Sequence, residues 1–120
     1  NGNKLSPSAT IVKKKFLLDR SIFFDEDKNL IGVEDYDFWL NLSKNKARFF
    51  FTNKILNIYI IHEENITNNT KKHMENSINV INKHFKILKT YNPKDRFIRI
   101  FNIRVSFLIN QIKKKKKFIY

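Results

Sequence analysis

The sequence predicts an α/β fold, with a few short strands around a helix, followed by an antiparallel pair of long helices. Three short runs of β-prone residues lie in the first half, at 9–12, 48–51 and 55–61. The last run is apolar at nearly every position, which is typical of a strand buried on both faces. After residue 70 the apolar residues instead recur at offsets of three and four, the spacing of a helix face.

The elements of the first half are short. Residues 14–18 are predicted to form one helical turn after the first β-prone run. The acidic segment Asp25-Glu26-Asp27 then reads as a turn. Gly32 breaks the chain, and a helical pattern runs from about Val33 to Lys44 before a polar stop.

The second half is predicted to hold two helices. The first covers about Lys71 to Tyr91, and Asn92-Pro93 ends it and begins the next, with Asn92 as cap and Pro93 in the first helical position. The chain is therefore expected to divide into a mixed part, 1–70, and a basic amphipathic helical pair, 71–120. Whether the pair packs on the first part or projects from it stays open.

Composition limits the class of protein. A chain of 120 residues suits one modest core, and the absence of cysteine excludes disulfides and thiolate zinc sites. We expect a cytoplasmic protein, because the lack of cysteine fits a reducing compartment and residues 1–10 are polar, unlike a signal peptide. No apolar run approaches the roughly 20 residues that span a bilayer. The net charge of +13 favours anionic partners. Lys greatly outnumbers Arg, so nucleic acid is the less favoured of these partners.

One acidic motif stands out in this basic chain. Glu34, Asp35 and Asp37 fall within four residues, at the predicted start of a helix. Asp35 shares a helix face with large apolar residues, where partial burial would suit a carboxylate that takes a proton from a hydroxyl. The alternative is that these acids only favour the positive end of the helix dipole.

The order of four motifs resembles the C-terminal half of the catalytic domain of inverting family 2 glycosyltransferases, which have the GT-A fold. The motifs are Ser6-Pro7-Ser8-Ala9-Thr10-Ile11-Val12, Phe24-Asp25-Glu26, Glu34-Asp35-Tyr36-Asp37-Phe38-Trp39 and Tyr59-Ile60-Ile61-His62. The resemblance covers about half of the chain. It departs from the family where Ile22 and Phe23 stand in place of a usual Gly pair.

The resemblance implies a role for each matching acid. Asp35 matches the general base that acts on the acceptor hydroxyl, and Glu34 would help to shape the acceptor site. Asp25 and Glu26 match a loop that lines the acceptor side. The implied donor is a nucleotide-sugar, and the implied acceptor is a glycan or a lipid-linked sugar.

Two further residues are candidates by the same resemblance. Trp39 would contribute to the acceptor site, although packing in the core is the alternative at this spacing. His62 matches a position that approaches the metal or the donor diphosphate, and the alternative is a surface histidine at a strand end. The implied metal is Mn²⁺ or Mg²⁺. His73 and His84 are expected on helix surfaces, without a role.

The resemblance also implies that the nucleotide-binding half of the catalytic domain is absent from these 120 residues. The sequence shows no Gly-rich turn and no Asp-x-Asp ahead of its first strand, so we expect a fragment that is inactive alone and does not hold the metal tightly. Exposed sheet edges would favour self-association. The alternative function is a small basic binding module for an anionic lipid surface or nucleic acid.

The C-terminal part adds a hypothesis of its own. Residues 94–120 combine apolar stripes with dense lysine, including five consecutive lysines at 113–117. Such a segment would suit peripheral contact with an anionic membrane. The alternative is a solvated helix face with a frayed end.

Overall fold

A computed structural model of the chain describes residues 3, 5–58, 60, 70–87 and 92–117. These residues form four helices, α1 Lys14–Leu18, α2 Glu34–Lys44, α3 Thr70–Ile87 and α4 Pro93–Lys117. Two single turns of 3₁₀ helix occur at Pro7–Ala9 and Lys28–Leu30. All four predicted helical segments are therefore confirmed, and the predicted end of the third, at Tyr91, lies outside the described residues.

The predicted α/β architecture is wrong, because the described residues contain no strand. No backbone–backbone hydrogen bond joins residues 48–58 to another described residue. Ile55 and Ile58, expected inside a buried strand, are 91% and 86% exposed. An apolar run indicates a tendency to be buried, whereas a strand also needs a neighbour to complete its hydrogen-bond ladder. The expected GT-A-like arrangement of short strands is thus not found.

Helix α2 begins and ends where local chemistry dictates. Gly32, just before it, has φ of 80°, a conformation that costs other residues steric strain. Glu34, Asp35 and Asp37 occupy its first turn, beside the positive end of the helix dipole. At the other end, the Asn45 N–H donates to the Asn41 carbonyl and closes the last turn.

Helix α2 lies between two apolar clusters. One contains Leu30, Val33 and Tyr36 together with Val80 and Ile81 of α3. The other contains Ile22, Phe38, Trp39 and Leu42. One face of α2 therefore packs on the helical pair and another packs on the N-terminal segment, so this short helix connects the two.

Helices α3 and α4 pack as an antiparallel pair. The Arg96 guanidinium, near the start of α4, donates to Asn82 Oδ1, near the end of α3, at 2.7 and 3.1 Å. Asn92 Oδ1 accepts from the Lys94 N–H at 3.0 Å, which confirms the predicted cap. Ile100 and Ile103 of α4 pack against the cluster that α2 and α3 share, so the pair packs on the first part of the chain.

Helix α4 is the longest element, with 25 residues. Even so, none of the helices in the described ranges has both the length and the apolar character that crossing a bilayer requires.

Candidate functional site

A cavity of about 460 Å³ opens where the start of α2 meets the helical pair. Its wall is formed by Asn3, Gly32, Val33, Asp35, Tyr36, His73, Met74, Ser77, Asn102, Ile103, Ser106, Phe107 and Asn110. The side chain of Asn76 positions this wall, because its Nδ2 donates to the Ile31 carbonyl at 2.9 Å. That bond joins α3 to the turn from which α2 begins.

Asp35 is the acid of this cavity. Its carboxylate is half-buried and accepts two hydrogen bonds, from the Tyr36 N–H at 2.7 Å and from Asn3 Nδ2 at 2.6 Å. Burial raises the pKa of Asp35 above the usual value for an aspartate, and the two hydrogen bonds offset only part of that increase. A carboxylate with a raised pKa is a stronger base than an exposed one.

Both polar and apolar groups line the cavity around Asp35. His73 lies on the α3 wall, close enough that a charge on its ring favours the ionised carboxylate. Asn102, Ser106 and Asn110 recur every four residues and form a polar row on α4. Met74, Ile103 and Phe107 supply apolar wall. A cavity with apolar surface and a few directed polar groups is the usual form of a small-molecule site.

A second cluster of charges lies away from the cavity, inside the contact between α2 and α3. Asp37 is 0% exposed. The Lys83 ammonium lies 2.8 Å from the Asp37 carboxylate and 2.7 Å from Asp25 Oδ2. His84 Nε2 lies 2.8 Å from Asp37 Oδ1. The cluster therefore ties the acidic turn before α2 to α2 itself and to α3.

The contacts between Lys83 and the two aspartates shift the pKa of all three groups toward their charged forms. Burial alone would raise the pKa of Asp37, but the hydrogen bonds from His84 and Lys83 outweigh it and hold the pKa below the usual value. The Lys83 hydrogen bond also lowers the pKa of Asp25. Burial acts to lower the pKa of Lys83, and its two carboxylate partners raise it above the usual value instead.

The structure separates the other predicted site residues from Asp35. Glu34 and Glu26 are exposed, and neither lines the cavity. Asp25 is engaged by Lys83. Trp39 is 6% exposed in the second apolar cluster, and its Nε1 has no hydrogen-bond partner in the described part of the chain.

The predicted metal position cannot be placed in this arrangement. His62 and Tyr59 lie outside the described residues. Among the residues that are described, no group of three His, Asp or Glu side chains is placed to hold a metal ion.

Of the two histidines expected on helix surfaces, His84 is instead buried. His84, expected on a surface, is 5% exposed and bound to Asp37. His73 lines the cavity beside Asp35. His73 and Ser77 are one helical turn apart in sequence, so their spacing could have indicated that both lie on the same face of α3. In the structure, the Ser77 hydroxyl donates to the His73 carbonyl at 2.8 Å. No comparable signal relates positions 37 and 84.

Comparison of the chain with protein-family models, with curated proteins and with solved structures found no match.

Proposed function

We propose that this chain forms the acceptor-binding part of an inverting glycosyltransferase, with Asp35 as the general base. The observation that carries the proposal is the half-buried Asp35 carboxylate in the wall of a cavity of about 460 Å³. The four-motif resemblance supports the same role for Asp35.

The reaction would be a single displacement at the anomeric carbon of a nucleotide-sugar. Asp35 removes the proton of the acceptor hydroxyl as its oxygen forms a bond to that carbon. The bond to the nucleoside diphosphate breaks, and the diphosphate leaves with the bonding electrons. The acceptor hydroxyl would replace the Asn3 amide on Asp35 Oδ2, because Asn3 is exposed and the Tyr36 N–H holds the other oxygen.

The rest of the cavity suits a sugar acceptor. The amides of Asn102 and Asn110 and the hydroxyl of Ser106 can bind sugar hydroxyls, and Phe107 offers an apolar ring to a sugar's C–H face. Neither Asn102 nor Asn110 is buried. Both amides are therefore accessible to a ligand that enters from solvent.

The test uses the full-length product of the gene that encodes this chain. The resemblance implies that the donor-binding half of the enzyme is not contained in these 120 residues. Asp35→Asn is expected to lower kcat for transfer by about 10²-fold or more while leaving the KM for the donor within about twofold. The acidic limb of the pH–rate profile, which would report protonation of Asp35, should be absent in Asp35→Asn.

Asp95→Asn is the matched control, because Asp95 is an exposed acid in the first turn of α4. If Asp35 only favours the start of its helix, both variants should behave alike. Transfer at the wild-type rate in Asp35→Asn would remove Asp35 from the role of base. Titration of the 120-residue chain with sugars, followed by the side-chain amide NMR signals of Asn102 and Asn110, tests the acceptor wall separately.

A further inference from the structure

Helix α4 carries a stripe of apolar side chains on the face turned away from α3. The stripe contains Phe97, Ile98, Phe101, Leu108, Ile109 and Ile112, which are 46–69% exposed. These positions follow one another at helical offsets and so share one side of the helix. Ile100 and Ile103 pack on the core from the other side, so the stripe is not required to hold α4 in place.

The arrangement of the stripe is typical of a surface that contacts an apolar partner rather than bulk water. The rings of Phe97 and Phe101 stack on each other with centroids 6.2 Å apart and an angle of 18° between their planes. At a rise of 1.5 Å per residue, the stripe is about 22 Å long. Six large apolar side chains lie along one side of the helix over that length, whereas exposed apolar residues on a protein surface are normally scattered singly.

Positive charges accompany this stripe along its length. Lys94 lies one turn before Ile98, and Arg104 lies between Phe101 and Leu108 on the same side of the helix. Neither cation forms an ion pair within the part of the chain that the structure describes. The helix continues through the lysines at 113–117. An apolar stripe with cations along it and at both ends is complementary to lipid tails beneath anionic headgroups.

We propose that α4 binds the surface of an anionic lipid bilayer, lying in the plane of the headgroups with the stripe toward the acyl chains. A second copy of the chain fits less well. A strip about 22 Å long and about 10 Å wide covers on the order of 200 Å² per copy, far below the roughly 800 Å² per partner of a stable interface. Two chains of net charge +13, with cations at both ends of each stripe, would also repel each other. The proposal does not depend on transferase activity.

The test is sedimentation of the full 120-residue chain with lipid vesicles. Binding to vesicles that contain phosphatidylserine should be at least about tenfold tighter than to phosphatidylcholine alone, and it should weaken as salt rises from about 0.1 M to about 1 M. The double variant Phe97→Ser/Phe101→Ser should bind at least about tenfold more weakly, since it removes both aromatic side chains of the stripe. Far-UV circular dichroism checks that α4 remains folded.

Phe50→Ser/Phe51→Ser is the matched control. These two rings are 86% and 80% exposed but belong to the segment before α3 and are not part of the stripe. This variant should bind vesicles within about twofold of the wild type. An equal loss of vesicle binding in both double variants would show that any exposed phenylalanine contributes to it non-specifically. That result would overturn the proposal.

Two other outcomes would also overturn it. One is a concentration-dependent dimer that Phe97→Ser/Phe101→Ser abolishes, without any vesicle binding, which would assign the stripe to a second copy. The other is oligonucleotide binding that the same variant leaves unchanged, again without vesicle binding. That result would assign the cations to nucleic acid.

Discussion

Replacing Asp37 by Asn should destabilise the protein strongly, although the change removes only one charge. Asp37 is 0% exposed and accepts from both Lys83 and His84 at 2.8 Å. In Asp37→Asn the amide NH₂ would face donors instead of accepting from them. A buried charged group that loses its partner is costly because water cannot replace that partner.

The size of the effect follows from these contacts. Each hydrogen bond to a charged group contributes about 1.5–3 kcal/mol, and breaking a buried ion pair costs about 3–5 kcal/mol. The side chain of Lys83 is 31% exposed and keeps its bond to Asp25, which reduces the loss. We therefore expect the free energy of unfolding to fall by about 3 kcal/mol. A chain of 120 residues has roughly 6–18 kcal/mol in total.

Urea unfolding followed by tryptophan fluorescence measures this change. Trp39 is the single tryptophan and is 6% exposed, so unfolding moves its ring into water. With a slope of about 1–3 kcal/mol per M, the midpoint for Asp37→Asn should fall by about 1–3 M.

Asp35→Asn is the internal control, the same substitution two positions earlier on the same helix. Burial raises the pKa of Asp35, so its charge is unfavourable in the folded state. This variant should therefore be as stable as the wild type or more stable. A midpoint for Asp37→Asn within about 0.2 M of the wild type would refute the reasoning about the buried cluster.

Two further predictions concern pH and the apolar residues. The pKa values of Asp37 and Asp25 are lowered in the folded state, so their contribution to stability is present above about pH 4 and is lost as the pH falls through the folded values. The free energy of unfolding, measured as a function of pH, should fall more steeply below about pH 4 in the wild type than in Asp37→Asn. Equal pH dependence in the two proteins would contradict a lowered pKa of Asp37. Ile81→Ala should cost about 2–5 kcal/mol because Ile81 is 1% exposed, whereas Ile55→Ala should change stability by less than about 0.5 kcal/mol because Ile55 is 91% exposed. Urea midpoints test both substitutions, and a large cost at position 55 would show that this segment is buried.

The helices could be predicted because their signals are local. Gly32 before α2, and Asn92 and Pro93 at the start of α4, act on the backbone within one turn, so the sequence around each end is sufficient. The position of Asp35 in the first turn of α2 was accessible in the same way. The cavity beside it was not, because its walls come from α3 and α4.

The sequence by itself determined the helical segments, their stops and the acidic character of the start of α2. Only the tertiary structure decided which acid lines a cavity and which is buried. Asp35 and Asp37 look alike in sequence, but Asp37 meets Lys83 and His84, more than 40 residues away, through the packing of α3 on α2. The same distinction explains the error at residues 55–58. An apolar run is local information, whereas a strand exists only when another segment of chain supplies the opposite half of its hydrogen bonds.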